Sequence, residues 1–409
     1  MIDVKKIRND FPMYRNSGLY NGKTMHYLDN AATTFKPYSV IDASNHYYMD
    51  ITANTSRGDY SLAHDADVAY DHAREVVAKF INAEKNEVVF CSGDTMAMNE
   101  IAFGLMHLLK EGDEILLSIA EHASNVLPWF RVAKMTGAKI SYVPLDKYGK
   151  ITVENFEKSI NKNTKIVSLA AVTNVLGFPL PIDELCEIAH KFGAIFVVDG
   201  AQSVPHYKTD VKKSNIDFLA FSGHKMLGPT GIGVLYGKKD MLSLLEPTFM
   251  GGEMNARFYS NQEYTLKDIP ERFEAGTVNV AGALGLAAAC EYINNIGFEA
   301  ICAHEKELKK IAVEGLLRNG NCTIYNPDLE GGIITFNVNG IFAQDAASYL
   351  NEKGIFVRTG THCAKMLPEF LKEDATIRAS LYFYNDIDDV NALIEASKHA
   401  EDFLDVFFN

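Results

Sequence analysis

The chain has 409 residues, 47% of them hydrophobic and 22% charged, which describes a globular protein large enough for two or three domains and a sizeable core. A formal net charge of -14, a pI near 5.3 and the lack of any Lys/Arg cluster exclude a nucleic-acid-binding surface. The longest apolar run, residues 280–290, is too short to cross a bilayer, and Met1 to Ile7 carry no apolar signal core, so no membrane partner is expected and the location expected is cytoplasmic.

Residues 1–24 read as a short polar helix followed by a turn-rich piece around Asn16-Ser17-Gly18 and Asn21-Gly22. Tyr27-Leu28-Asp29 is a short strand running into the small and polar residues Asn30-Ala31-Ala32-Thr33-Thr34. Two helices follow, from Tyr38 to Met49 and then along the apolar steps Ala66, Ala69, Tyr70, Ala73, Val77 and Phe80, with a polar loop at Ser56-Arg57-Gly58 between them. From Val88 the chain alternates apolar strands with helices. Val88–Phe90 runs into Gly93-Asp94-Thr95, Ile115–Leu117 into Glu121-His122, and Ile166–Val172 into Thr173-Asn174. Ala194–Val198 runs into Asp199, and Phe218–Phe221 into Ser222-Gly223-His224-Lys225. Continuous apolar strands alternating with helices predict a mostly parallel sheet covered on both faces, with ligands beyond the carboxyl ends of its strands. After about residue 290 the pattern becomes a smaller α+β unit. It contains strands at Ile333–Phe336, Ile355–Val357 and Ile377–Tyr382, a loop at Arg358–Cys363, and a closing helix from Asp386. The division expected is therefore a segment 1–24 packed on the small unit, a large domain 25–290 and a small domain 291–409.

The five strand ends carry Thr95, His122, Asn174, Asp199 and Lys225, five chemically capable side chains. A lysine between two buried strands suits an aldehyde, because desolvation frees its amine for Schiff-base chemistry. Pyridoxal phosphate makes demands this set can meet. Asp199 would hold the pyridine nitrogen protonated, His122 would lie against the ring, and Gln202 and Asn174 would donate to the phenolic oxygen. The N-terminus opened by Gly93-Asp94-Thr95, with Ser222 and His224, would take the phosphate.

Together these residues resemble the fold-type I, class V aminotransferase-like enzymes, and within them the group II, SUF-type (SufS-like) cysteine desulfurases and selenocysteine lyases. The resemblance runs over essentially the whole chain. It is carried by Tyr27–Thr34, Glu121-His122, Val198–Gln202, Ser222–Lys225, Arg272–Thr277, Val357–Ala364 and Ile377–Ser380. It implies an α/β fold-type I enzyme with bound pyridoxal phosphate and no metal. Cys363 would carry the persulfide drawn from L-cysteine, Lys225 would move the Cα proton, and His122 would assist. Arg378, with Asn174 and Ala31, would hold the substrate carboxylate. Thr277 would reach the phosphate of a second subunit, so a homodimer is implied. A SufE- or SufU-like acceptor would take the sulfur toward iron–sulfur cluster assembly. Selenocysteine lyase or transaminase-like chemistry is the alternative. The six cysteines are dispersed with no C-x-x-C, as expected of reduced thiols, and Cys363 differs from the rest in following a basic residue and an imidazole within a polar loop.

The sequence departs from that pattern in four places. An arginine and two threonines usually surround the phosphate-loop glycine, whereas here the residues are Ser92-Gly93-Asp94-Thr95, and Met96 replaces a glutamate. A carboxylate about 5 Å from a phosphate charge costs roughly 3 kcal/mol at an effective dielectric of 20, so Asp94 is expected to point away or to cap the helix. Ser56, Thr361 and Phe342 stand where histidines are common, which bears on the sulfur acceptor.

Overall fold

Seven strands form the central sheet: β1 (Val88–Cys91), β2 (Glu114–Ser118), β3 (Lys139–Val143), β4 (Thr164–Ala170), β5 (Ile195–Asp199), β6 (Phe218–Ser222) and β7 (Gly233–Gly237). The computed structural model describes residues 2–15, 18–55 and 58–404. The loop residues Asn16, Ser17, Ser56 and Arg57 singled out in the sequence lie outside them. The spatial order is β1-β7-β6-β5-β4-β2-β3. β7 runs antiparallel to both β6 and β1, and the remaining pairs are parallel. The fold is thus α/β with a large, mostly parallel sheet.

Alternation within each strand builds two cores. Leu116, Val167, Phe196, Val198, Leu219, Phe221 and Val234 pack in one, under the helices Ser61–Phe80 and Val280–Ile296. Ile115, Leu117, Ile166, Val197, Phe218, Ala220 and Leu235 pack in the other, under the helices Asp94–Gly104 and Leu127–Thr136. A strand buried on both faces needs apolar residues at every position, which explains why these runs were continuous in the sequence. β3 was not legible that way. It is an edge strand, and Lys139, Ile140, Ser141 and Tyr142 are all partly or fully exposed.

The second sheet has four antiparallel strands, β8 (Cys322–Ile324), β9 (Ile333–Val338), β10 (Arg358–Gly360) and β11 (Thr376–Ser380), in the order β8-β9-β11-β10. Arg358–Gly360, expected as loop, is the edge strand β10, paired with Thr376–Arg378 of β11. Leu308, Leu316, Ile334, Phe336, Leu350, Ile377 and Leu393 form its core beneath three helices, Phe298–Asn319, Ala343–Glu352 and Ile387–Lys398. The last of these starts from a capping box. Asp386 accepts from the N–H groups of Asp388 and Asp389, and Asp389 returns a bond to the Asp386 N–H.

The amino-terminal segment touches both units: Phe11 and Met25 are buried in the large core, while the residues that follow join the small unit. His26–Tyr27 pairs in parallel with Ile355–Phe356, and Leu28 is buried in the small core. Asp389 holds both Arg8 (2.7 Å) and His26 (2.8 Å). The chain then crosses to the large sheet through residues 29–36, which end on the lysine turn: Thr34 N–H, Thr33 Oγ1 and Lys36 Nζ all donate to the carbonyl of His224.

Candidate active site

A cavity of about 460 Å³ opens between the carboxyl ends of the large-sheet strands and the edge of the small sheet. Among the sequence-expected residues it is lined by Ala31, Asp94, Thr95, His122, Asn174, Gln202, Ser222, His224, Lys225, Cys363 and Arg378. Asp199, 4% exposed, lies just behind this lining at the end of β5 and interacts electrostatically with Lys225, Asp94 and His122. Thr277 alone is not brought in: it is exposed in the turn after Gly276, away from this cavity.

Lys225 ends the single turn Gly223–Lys225 that follows β6. Burial pushes its ammonium below the usual range and Arg378 adds to this, against Asp199 and Asp94, which raise it. A lysine with a depressed pKa beside a buried carboxylate is what Schiff-base chemistry requires. Its neighbour His224 is pushed down to about 4 by burial, with Lys225 and Lys36 contributing, and so is neutral.

His122 caps the turn Ala123–Asn125. Its Nδ1 accepts from the Ser124 N–H at 3.1 Å, which leaves the neutral ring's proton on Nε2. Burial, then Lys225, hold its pKa down despite Asp199. Ser124 was not foreseen. Its Oγ lies 3.0 Å from His122 Nδ1 and 2.6 Å from Thr95 Oγ1, so it joins His122 to Thr95 at the start of the helix Asp94–Gly104. A serine two residues after a histidine gives no sequence signal of that role.

The two amides expected as donors to the phenolic oxygen have commitments of their own. Gln202 Nε2 donates to the Ala31 carbonyl at 2.7 Å, and Asn174 Nδ2 donates to the His362 carbonyl at 2.7 Å. Each amide nitrogen keeps one further N–H. Asn174 Oδ1 is buried without a partner, as is Nε of Arg378. Arg378, 3% exposed on β11, donates to the Asn174 carbonyl at 2.7 Å and stands 3.6 Å from Asp29. Burial pushes it down to about 10, with Asp29 opposing. Asp29 also receives Arg358 Nη2 at 2.9 Å, a second unforeseen link.

Of the six cysteines only Cys363 is exposed. Burial pushes the thiols of Cys91, Cys186, Cys290, Cys302 and Cys322 upward, which suits small hydrophobes. His362 and Cys363 both adopt positive φ, 51° and 61°. The imidazole that precedes Cys363 is not among the cations near the thiol. His362 is buried with Nε2 2.9 Å from Thr376 Oγ1, and burial with Arg378 nearby pushes it down to about 3. The cations that face Cys363 are Lys225, Arg358 and Arg378.

Asp94 requires a correction. It neither points away nor caps the helix: Gly93 occupies the cap position with no side-chain bond, and Asp94 is 5% exposed in the cavity wall. Thr361 lines the cavity, whereas Phe342 is 56% exposed at the start of the helix Ala343–Glu352.

Residues 26–393 match the family Aminotransferase class-V. A "Probable cysteine desulfurase" from Halalkalibacterium halodurans is 44% identical, over 98% of this chain and 99% of its own length. The chain belongs to the class V aminotransferases, among the cysteine desulfurases. A "Probable cysteine desulfurase" from Staphylococcus epidermidis is 42% identical over 99% of this chain and 98% of its own. The apo structure of a cysteine desulfurase from Thermococcus onnurineus NA1 superposes with a TM-score of 0.92 at 38% identity, covering 98% of both chains. The cysteine desulfurase CsdA of Escherichia coli, described as its S-sulfonic acid, does so at 0.90 and 34%, covering 98% of this chain and 99% of that one. The general role of this family is sulfur supply for iron–sulfur clusters, and its cofactor is pyridoxal phosphate. The residues fit that group. A Cβ on Gly233 would come within 2.5 Å of Gly93 Cα, so the loop ahead of the helix Asp94–Gly104 can lie this close only without side chains, and the unpartnered atoms of Asn174 and Arg378 belong to residues of the cavity wall. Lys225 and Asp199 supply the amine and the carboxylate.

Proposed function

We propose that this chain converts L-cysteine to L-alanine and carries the released sulfur as a persulfide on Cys363. The observation that carries the reading is that the exposed Cys363 thiol shares one cavity with Lys225 and Arg378. Pyridoxal phosphate, when bound, supplies the electron sink that makes the substrate Cα–H acidic and its Cβ–Sγ bond labile. Lys225 would hold its aldehyde carbon, Asp199 its ring nitrogen, and Thr95, Ser222 and His224 at the Gly93 loop its phosphate.

Arg378 binds the substrate carboxylate through its planar fork, and Asn174, whose carbonyl already anchors that arginine, has one amide N–H left to donate to the same carboxylate. Lys225 Nζ removes the proton from Cα and returns one. The Cys363 thiolate attacks Sγ: the S–S bond forms as Cβ–Sγ breaks, the bonding pair stays with carbon, and protonation there yields alanine. His122, with its proton on Nε2, would lie against the cofactor's ring and move protons to and from the leaving product.

Thr277, exposed and outside its own cavity, would serve the phosphate site of a second copy, which makes the working unit a homodimer. The sulfur would pass to a SufE- or SufU-like acceptor protein. The half-buried Thr361 and the exposed Phe342, in place of histidines, would shape that hand-off. Among the described residues no helix is long and apolar enough to cross a membrane. With that and the six unpaired cysteines, the cytoplasm is the location proposed.

The test is alanine and sulfide release from L-cysteine in the presence of a thiol reductant. Cys363→Ser should keep bound cofactor and lose sulfide release; full turnover without the thiol would defeat the assignment.

A further inference from the structure

Asp94 is the acidic side chain of the cavity lining, and the proposed reaction does not use it. It is the first residue of the helix Asp94–Gly104, at the helix end where backbone N–H groups favour an anion. Its own N–H is already given to Ser222 Oγ at 2.8 Å. Its side chain is buried, Oδ1 has no hydrogen-bond partner, and the carboxyl reaches the carboxyl of Asp199. The charged groups facing it are Asp199 and Glu121, both acidic, and Lys225, the one base. Burial together with Asp199 drives its pKa well up, as expected of two carboxyls competing for one proton and one ammonium.

We infer that Asp94 is the residue that sets how tightly this chain holds a phosphorylated cofactor: its buried carboxyl stands at the N-terminal end of the Asp94–Gly104 helix, beside Asp199, so a phosphate bound there must share that end with a second acid. The inference rests on the proposed assignment of the Gly93 loop to the phosphate. A hydroxyl at this position would donate to a phosphate oxygen, whereas an ionised carboxyl repels it and a protonated one must first give up Asp199. Because the conflict is with the phosphate, removing the carboxyl should favour the phosphorylated ligand selectively. Pyridoxal, which has the same ring and aldehyde, should gain little.

The test uses the full chain stripped of cofactor and titrated with pyridoxal phosphate, pyridoxal or inorganic phosphate, followed by absorbance for the two aldehydes and by calorimetry for phosphate. Asp94→Thr supplies the hydroxyl, and Asp94→Asn keeps the shape should the first variant fold poorly. Both should bind pyridoxal phosphate and inorganic phosphate tighter by about tenfold or more, the scale of one like-charge contact at a partly buried site, with pyridoxal changed less than about twofold. Unchanged or weaker binding of pyridoxal phosphate would overturn the inference. So would an equal gain for pyridoxal, since Asp94 would then act only through Asp199. Thr95→Val and Ser222→Ala, run alongside, separate the two layers. If both leave pyridoxal phosphate binding intact, the phosphate assignment itself falls; if they weaken it while the Asp94 variants change nothing, only the role of Asp94 falls.

Discussion

The carbonyl oxygen of Cys363 accepts the backbone N–H of Ala123 at 2.9 Å. Ala123 follows His122 on the large sheet, so the thiol loop of the small unit is fastened directly to the turn that bears His122. A second fastening lies one residue away, where Asn174 Nδ2 donates to the His362 carbonyl. Two successive non-glycine residues at positive φ persist only where surrounding bonds hold them. The position of the Cys363 thiol in the cavity is therefore set by the large sheet as much as by the small one.

Replacing Asn174 with Ala should loosen that loop and strip the Arg378 side of the cavity of a polar neighbour. The loss of one buried hydrogen bond is worth about 1–3 kcal/mol, so persulfide formation should slow by roughly tenfold to a hundredfold. Cofactor binding should change far less. Single-turnover sulfur transfer to Cys363, measured against the visible spectrum, separates the two; equal loss of both would show that Asn174 serves the cofactor first.

His362 is neutral across the working range because burial and Arg378 hold its pKa near 3, and its Nε2 is committed to Thr376. His362→Gln should thus cost stability, by about 1–3 kcal/mol for a disturbed buried bond, while the acid limb of the pH–rate profile stays where it was. A group that ionises only near 3 cannot produce a limb between 5 and 8. Movement of that limb in the variant would return His362 to the reaction as an acid or base.

The strand ends Asp199, Asn174 and Lys225 were legible because the strands leading to them are apolar at every position, and burial on two faces imposes that pattern. The residues that reveal nothing by themselves were missed for the same physical reason. Ser124 and Asp29 are polar residues in loops, and only the crossing of residues 29–36 between the two sheets puts Asp29 between Arg358 and Arg378. β3 and β10 are edge strands without a continuous apolar signature. The hairpin Asn255–Phe258 with Tyr264–Leu266 is largely exposed and carried no signal either. The orientation of Asp94 was open because a loop acid can cap, point out or turn inward, and sequence alone does not weigh those.

Arg74 and Glu274 form a buried, forked pair, with contacts of 2.6 and 2.8 Å. Glu274 also accepts the Phe90 N–H at 2.7 Å and the Tyr70 hydroxyl at 2.9 Å, so one carboxylate ties the turn before Thr277 to β1 and to the helix Ser61–Phe80. Removing one partner strands the other charge in the core. Glu274→Ala should cost about 3–5 kcal/mol in denaturant unfolding at a fixed protein concentration. Arg74→Ala combined with Glu274→Ala should cost less than the sum of the two single changes, and simple additivity would show that the pair is not acting as a unit.

Lys36 Nζ donates to the carbonyls of Thr34 and His224, and among the described residues no carboxylate is bonded to it. Burial pushes its pKa from 10.5 down to about 7. The unfolded chain then binds more protons than the folded one between about pH 7 and pH 10.5, so stability rises with pH through that window. Below pH 7 the lysine is charged in both states and its burial penalty is felt in full. Lys36→Met removes the charge and keeps the stem. The variant's melting temperature relative to the parent should accordingly be most favourable near pH 6.5 and fall by a few degrees by pH 9.5, as the parent sheds its proton. Differential scanning calorimetry of both proteins at the two pH values decides it. A difference that does not vary with pH would mean that Lys36 is charged in the folded chain and held by bonds strong enough to offset its burial.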